Sequence, residues 1–344
     1  MKITQIMLSK GWGGAERIFI DLAKGLAEQD IQVQAIMDKR FKQKSQLEHV
    51  TDVYPFHIRP LFHWDLFAAN RLHRAIKEFS PDIVHCHLSR ATLMGGSAAG
   101  RLSLPAVTTT HNNMKLKYCR KINQFIVLTE NQRSYLTSQG IENSVITKIP
   151  NFSNVEPVAE VEKKHSPVFV AYGRMVPKKG FEDLIHAFSL LQKRNPRAKL
   201  LLGGDGTEKD KLYRLTLELG LEQQVHFVGW IDDVKEFLSK GTVFVLPSRD
   251  EPFGIVLLEA MANGLPIVTT RTGGACEILT DKTACFSEIA DPVSLSKAME
   301  RALSAPECWS KAEAALMLFK THYRKNSVVP RIISYYNNIL LGLT

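Results

Sequence analysis

The stretch Pro247-Ser248-Arg249-Asp250-Glu251-Pro252-Phe253-Gly254-Ile255-Val256-Leu257-Leu258-Glu259-Ala260 opens directly after the apolar run Val243–Leu246. Four apolar residues, β-branched or aromatic for the most part and bounded by turn formers, read as a buried strand. Pro252 and Gly254 punctuate the loop, and the apolar run from Ile255 begins a helix. Strand, short loop and helix make one half of a parallel βαβ unit, and the chain repeats the pattern in both directions. Towards the N-terminus, strand patterns fall at 3–8, 32–37, 82–87, 106–110 and 125–128, with helical patterns at 15–28, 66–79, 90–101 and 130–139. The later series has strands at 168–172, 199–202, 225–228, 242–246 and 266–270. Its helices fall at 181–194, 207–219, 231–239, 254–263 and 293–304, and 309–342 is helical by pattern. The charged, aperiodic stretch 154–166 reads as a linker. The expected fold class is α/β: two doubly wound parallel sheets facing each other across a cleft, with ligands at the carboxyl ends of the strands.

Composition agrees with two soluble domains. The 344 residues suit two cores of about 150–170 residues, and 44% hydrophobic with 23% charged residues is globular. No apolar run approaches the roughly 18–20 residues of a membrane span. The apolar run at 3–8 is cut off by Lys10, Gly11 and Gly13, too short for a signal peptide. Five cysteines, an odd number without a CxxC pair, favour free thiols and a cytoplasmic location. The net charge of +9 is uneven: residues 1–150 hold 20 Lys and Arg against 12 Asp and Glu, and the rest is nearly balanced. Basic clusters at 39–44, at Arg71, Arg74 and Lys77, and at 115–121 suit a solvated surface or attraction to phosphates, such as an anionic membrane. No RNA motif or recognition-helix pattern accompanies them, so no nucleic-acid partner is expected.

Three loops carry candidate chemistry. Ser9-Lys10-Gly11-Trp12-Gly13-Gly14-Ala15-Glu16 joins the first strand to its helix, where glycines and free N–H groups suit an anion or a plain tight turn. It is not GxGxxG, although Asp38 ends the second strand as a ribose-binding acid would, which keeps a dinucleotide oxidoreductase as an alternative. Gly173-Arg174-Met175-Val176-Pro177-Lys178-Lys179-Gly180 follows a strand and leads into a helix. Two cations, Arg174 and Lys179, at a helix start suit a diphosphate and would stabilise it as a leaving group. In the third loop Glu251 precedes the helix and Glu259 lies within it, in an apolar stretch where an acid needs a partner or a polar ligand. Eight residues span at most about 12 Å along a helix, against about 5–5.5 Å between the carboxyls of a retaining glycosidase. The two acids read as two contacts on one extended ligand. His85-Cys86-His87 could pass for a metal site, but on a strand the histidines face one way and Cys86 the other, leaving a third ligand missing, so no metal is expected.

Glu251 and Glu259 match the E-x7-E motif of the retaining glycosyltransferases of family 4, which have the GT-B fold of two Rossmann-like domains. The chain resembles that family along nearly its whole length. The matching segments are Gly13-Gly14-Ala15-Glu16-Arg17, Asp82-Ile83-Val84-His85-Cys86-His87, Thr110-His111, Gly173-Arg174 with Lys179-Gly180, Gly203-Gly204-Asp205-Gly206, Val225-His226-Phe227-Val228-Gly229, and Thr272-Gly273-Gly274 with Glu277. The resemblance implies an acceptor-binding domain over 1–160, a donor-binding domain over 167–320, and a final helix, 321–344, returning to the first. It implies that Glu259 binds the donor ribose and that Glu251, with the backbone of Phe253 and Gly254, holds the donor sugar. Arg174 and Lys179 would neutralise the diphosphate, His111 would contact the sugar near the reaction centre, Gly13 and Gly14 would lie beside the diphosphate, and Gly229 would approach the base. The donor would be a nucleoside diphosphate sugar, uridine favoured over guanosine or adenosine, with no cofactor and no metal. The acceptor expected from resemblance and charge is a lipid-linked or lipopolysaccharide-type glycan, with the enzyme peripheral on the inner face of the cytoplasmic membrane. The stretch Phe62-His63-Trp64-Asp65-Leu66-Phe67 would either serve that attachment or pack in the core. Two further alternatives are a nucleotide-sugar 2-epimerase on the same fold and a non-catalytic sugar- or nucleotide-binding protein.

Overall fold

Apolar strand runs flanked by amphipathic helices can be buried on both faces only by helices packing above and below a parallel sheet. The computed structural model describes every residue except 63, 64, 165, 305 and 344. The chain divides into two units, Met1–Phe152 with Lys325–Thr344, and Ser153–Arg324. In the first unit β1 (Lys2–Met7), β2 (Gln32–Asp38), β3 (Val53–Ile58), β4 (Ile83–His87), β5 (Ala106–Thr110), β6 (Gln124–Val127) and β7 (Ile146–Lys148) form a parallel sheet in the order β3-β2-β1-β4-β5-β6-β7. Its helices are α1 (Gly14–Ala27), α2 (Leu66–Phe79), α3 (Leu88–Arg101) and α4 (Glu130–Ser138). In the second unit β8 (Val168–Tyr172), β9 (Lys199–Gly203), β10 (Val225–Gly229), β11 (Val243–Leu246), β12 (Ile267–Thr270) and β13 (Cys285–Ser287) run parallel in the order β10-β9-β8-β11-β12-β13. They alternate with α5 (Phe181–Gln192), α6 (Lys209–Glu218), α7 (Val234–Ser239), α8 (Ile255–Ala262) and α9 (Gly273–Ile278), followed by α10 (Pro292–Ser304) and α11 (Glu307–Leu318). Both sheets are doubly wound, as the alternation of patterns predicts.

Each strand order reverses once, between β1 and β4 in the first sheet and between β8 and β11 in the second. Such switch points open a crevice at the carboxyl ends of the strands. The register brings those ends level: Met7 pairs with Met37 and His87, and Tyr172 with Gly203. Below them lie the cores, Ile6, Ile36, Val84 and Cys86 in one unit and Phe169, Phe188, Leu200 and Val245 in the other.

Two stretches depart from the sequence expectation. Residues 154–164 belong to the second unit, where the Val158 N–H donates to the Ala262 carbonyl at 2.8 Å. The helical pattern over 309–342 is broken. After α11 comes a π-helical turn, Phe319–Tyr323, then Arg324 in extended conformation, and only then α12 (Lys325–Leu340). The break lies where the chain leaves the second unit for the first. All five thiols are free, and among the described residues no helix is long and apolar enough to cross a membrane.

Candidate active site

At the switch point of the second unit the loops after β8 and β11 are tied together. The Arg249 and Asp250 N–H groups donate to the Lys178 carbonyl at 2.8 and 3.2 Å. Arg249 also forks Asp183, in the first turn of α5, through two 2.7 Å bonds. The Thr270 hydroxyl, at the end of β12, donates to the Ser248 carbonyl at 2.5 Å. This frame holds Glu251, which is buried, against Lys179: Nζ donates to Glu251 Oε2 at 2.5 Å, and the Ser248 hydroxyl reaches the same oxygen at 3.2 Å. The Gly274 N–H donates to the Glu251 carbonyl at 2.9 Å. Glu251 Oε1 keeps no hydrogen-bond partner among the described residues. Phe253 is buried beside Tyr323, and Gly254 caps α8 without a side chain, leaving the first N–H groups of that helix open.

Glu259 is buried on α8, where the Tyr172 hydroxyl, at the end of β8, donates to its Oε2. Gly229 ends β10, and its carbonyl accepts from the Gly204 N–H at 2.6 Å. Arg174 is exposed and makes no ion pair or side-chain hydrogen bond among the described residues. The two cations are thus differently placed: Lys179 is committed to Glu251, while Arg174 faces solvent.

In the first unit the polar groups at the switch point form a histidine array, His85 and His87 buried and His111 half-buried at its open end. His85 Nδ1 pairs with the Tyr336 hydroxyl of α12 at 2.6 Å and Nε2 with Thr109 at 2.8 Å. His87 Nε2 meets Gln5 Oε1 at 3.2 Å, and its Nδ1 meets His111 Nε2 at 3.0 Å, with the two rings stacked. Burial pushes His111 down to about 4. Burial, and then the neighbouring His111, push His85 down to about 3, and burial with His85 and His111 on either side holds His87 well below the ordinary range. An unfolded histidine titrates near 6.5. As the pH falls from there towards 4, the unfolded chain takes up protons that the folded unit refuses, so stability is full above that window and lost through it. The first unit is expected to melt at a lower temperature at about pH 5 than at about pH 7.5 by calorimetry; an unchanged transition would contradict this. Gly13, the N-cap of α1, and Gly14 after it offer no side-chain cap, and Glu16 is held by the Ser9 hydroxyl.

The dinucleotide alternative needed Asp38 to be offered to a ribose. It is instead fully buried, with both carboxylate oxygens taken by Arg40 at 2.8 and 2.7 Å. His85 and His87 do share one side of β4, their ring centroids 4.4 Å apart, while Cys86 packs into the opposite core. Among the described residues no group of three or more His, Cys, Asp and Glu could hold a metal ion. The sequence does not single out Tyr172, Ser248, Asp183 or Gln5: Tyr172 ends a strand and Ser248 lies in a loop, while Asp183, in the first turn of α5, and Gln5, within β1, carry only their polarity as a signal.

Comparison with known proteins adds to this geometry. The family model of glycosyl transferases group 1 matches residues 154–315, and that of Glycosyltransferase Family 4 matches 12–156. LpsE, a lipopolysaccharide core biosynthesis glycosyltransferase of Rhizobium meliloti, is 29% identical over 308 residues, 88% of each chain. LpsD of the same organism and description is 30% identical over 303 residues, 86% of each. Among solved structures, HepE of Anabaena in complex with UDP and glucose superposes with a TM-score of 0.86 at 21% identity, covering 98% of this chain and 99% of that one. It shares the fold. The chain belongs to family 4 of the glycosyltransferases and has their GT-B fold.

Proposed function

We propose that the chain transfers a sugar, with retention at the anomeric carbon, from a uridine diphosphate sugar to a hydroxyl of a lipid-linked or lipopolysaccharide-type glycan, at the cytoplasmic face of the cytoplasmic membrane. The observation that carries the donor side is the Lys179–Glu251 pair at the β8/β11 switch point, with Arg174 exposed on the same loop and Glu259 buried on α8. Cleaving the anomeric bond develops positive charge on the sugar and negative charge on the departing diphosphate. Arg174 and Lys179 answer the second charge, in the place a divalent ion would otherwise take. A cation already fixed by Glu251 needs no reorganisation as that charge appears, which is where preorganised groups are worth most. Glu251 Oε1 and the N–H groups at Phe253 and Gly254 hold the sugar hydroxyls. Glu259, oriented by Tyr172, takes the ribose, and the backbone at Gly229 meets the base. Gly13, Gly14 and neutral His111 are the first unit's contacts, to the diphosphate and to the sugar.

Uridine is supported by the solved HepE complex with UDP and glucose, and the envelope glycan by the descriptions of LpsE and LpsD. The test is thermal shift with UDP, GDP, ADP and NAD. Ligand at about a hundredfold excess over Kd contributes about 2.7 kcal/mol, roughly 5–11 °C for a unit of this size. UDP is expected to give that rise. Stabilisation by NAD alone would sink the transferase reading, and a winning GDP or ADP would reassign the base.

A further inference from the structure

Four of the most exposed large apolar side chains lie within seven positions: Leu61 is 66% exposed, Phe62 57%, Leu66 76% and Phe67 88%. Of the stretch 62–67, His63 and Trp64 lie outside the described residues. The exposure is built into the structure. Asp65 is buried, its Oδ1 accepting the Ala68 N–H and its Oδ2 the Leu61 N–H, each at 3.0 Å, so the loop is pinned to the start of α2. Beside it runs a groove of about 450 Å³ lined by Ile58, Leu61, Phe67 and Ala68, with Arg59 and Arg71 also in its wall.

Phe67, Arg71 and Arg74 recur at i, i+4 and i+7 of α2, one stripe, all three exposed. At 1.5 Å per residue the two arginines stand about 6 and about 10 Å behind Phe67 along the helix axis. Arg71 is exposed; its guanidinium lies over the Phe56 ring, 5.9 Å from the centroid, and donates to the His57 carbonyl at 3.5 Å, which fixes the cation beside the apolar cluster. Asp65 is spent on its cap; Glu78 lies three turns beyond Phe67 and one turn beyond Arg74, where Lys77 stands beside it, so Arg71, the α2 cation nearest the apolar tip, has no acid within a turn of it on that helix. A monomeric soluble protein seldom leaves such a cluster open. Apolar groups at the tip and cations one and two turns behind follow the depth profile of a bilayer surface, where apolar side chains enter about 5–10 Å and cations stop at the phosphates.

We propose that this face of the first unit docks on an anionic lipid bilayer: Leu61, Phe62, Leu66 and Phe67 enter the headgroup boundary, and Arg59, Arg71 and Arg74 engage lipid phosphates. The glycolipid reading of the acceptor supplies the purpose of the docking; the geometry stands without it. The full chain is tested by co-sedimentation with vesicles of phosphatidylglycerol and phosphatidylcholine, and with pure phosphatidylcholine, at low and high salt. Binding is expected to the anionic vesicles alone and to weaken with salt. Leu66→Ser with Phe67→Ser should lower it about tenfold or more, and Arg71→Gln and Arg74→Gln about fivefold each. These side chains are exposed and outside the donor site, so the UDP-induced thermal shift should persist in every variant. Equal sedimentation of wild type and variants overturns the docking, as does wild type that binds no vesicles, while a persisting UDP shift leaves the donor reading standing. A solution dimer that Phe67→Ser dissolves also overturns it, by giving the face to a second copy of the chain. Vesicle binding that follows the variants as expected in a chain that UDP fails to stabilise upholds the docking and removes the donor reading instead.

Discussion

Replacing Arg174 with alanine is expected to lower kcat by about 10²–10³-fold with little change in melting temperature. The side chain is exposed and bonds to nothing among the described residues, so its loss disturbs no packing. Its proposed work comes late, as charge builds on the leaving diphosphate, so the loss should fall on kcat more than on the KM for donor. The neighbouring Lys178 gives the contrast. Its carbonyl ties the two loops but its side chain is exposed, and Lys178→Ala should leave kcat within about twofold, since surface changes away from such features are small. Lys179→Ala is less clean, because it strips Glu251 of its cation as well. Steady-state rates of UDP release for the two alanine variants, compared with wild type, make the measurement; an Arg174 variant as active as wild type removes the leaving-group argument.

Gly180→Ala is expected to produce a large loss of stability. Gly180 has φ +66°, and a Cβ there would stand 2.0 Å from the Pro247 carbonyl oxygen. The left-handed backbone alone costs an L-residue about 1–2 kcal/mol; the collision adds a term of the overpacking kind, about 1–3 kcal/mol. Together they come to about 2–5 kcal/mol, roughly 4–20 °C in the second unit. Relief requires the loops after β8 and β11 to part, which also separates Lys179 from Glu251, so donor affinity should fall with stability. Gly220→Ala is the control: its φ is +67°, but a Cβ there meets nothing within 4 Å, so only the backbone cost applies. Equal melting temperatures for the two variants would show that the loops yield freely.

The fold was legible where burial was strongest. β8 and β11 are continuous apolar runs bounded by turn residues, and β1 and β5 mix apolar residues with buried threonine and glutamine in short β-rich runs; their positions in the sequence were enough. The strands that escaped are weak by the same physics. β3 carries Pro55 and an exposed Tyr54, and at the sheet edge it needs only one partner. β7 and β13 are three residues each, and the six residues of α9 open on two glycines. Around the site, residue types were legible but their pairing was not. Lys179 and Glu251 lie 72 residues apart; Arg174 and Lys179 read as equivalent cations until the fold committed one of them to Glu251. The aromatic stretch after β3 left two readings open, and the exposure of Phe62 and Phe67 decides against core packing for those two.

The return of α12 to the first unit bears on how the chain is made. A ribosome delivers all seven strands of the first sheet before any of the second unit. The hydroxyl that meets His85 belongs to Tyr336, and Tyr335, which meets Gln124, comes from the same late helix. The N-terminal half therefore waits, with Nδ1 of His85 and Oε1 of Gln124 short of those two hydroxyls, until translation has run through the second unit. The first unit to begin folding is the last to be completed.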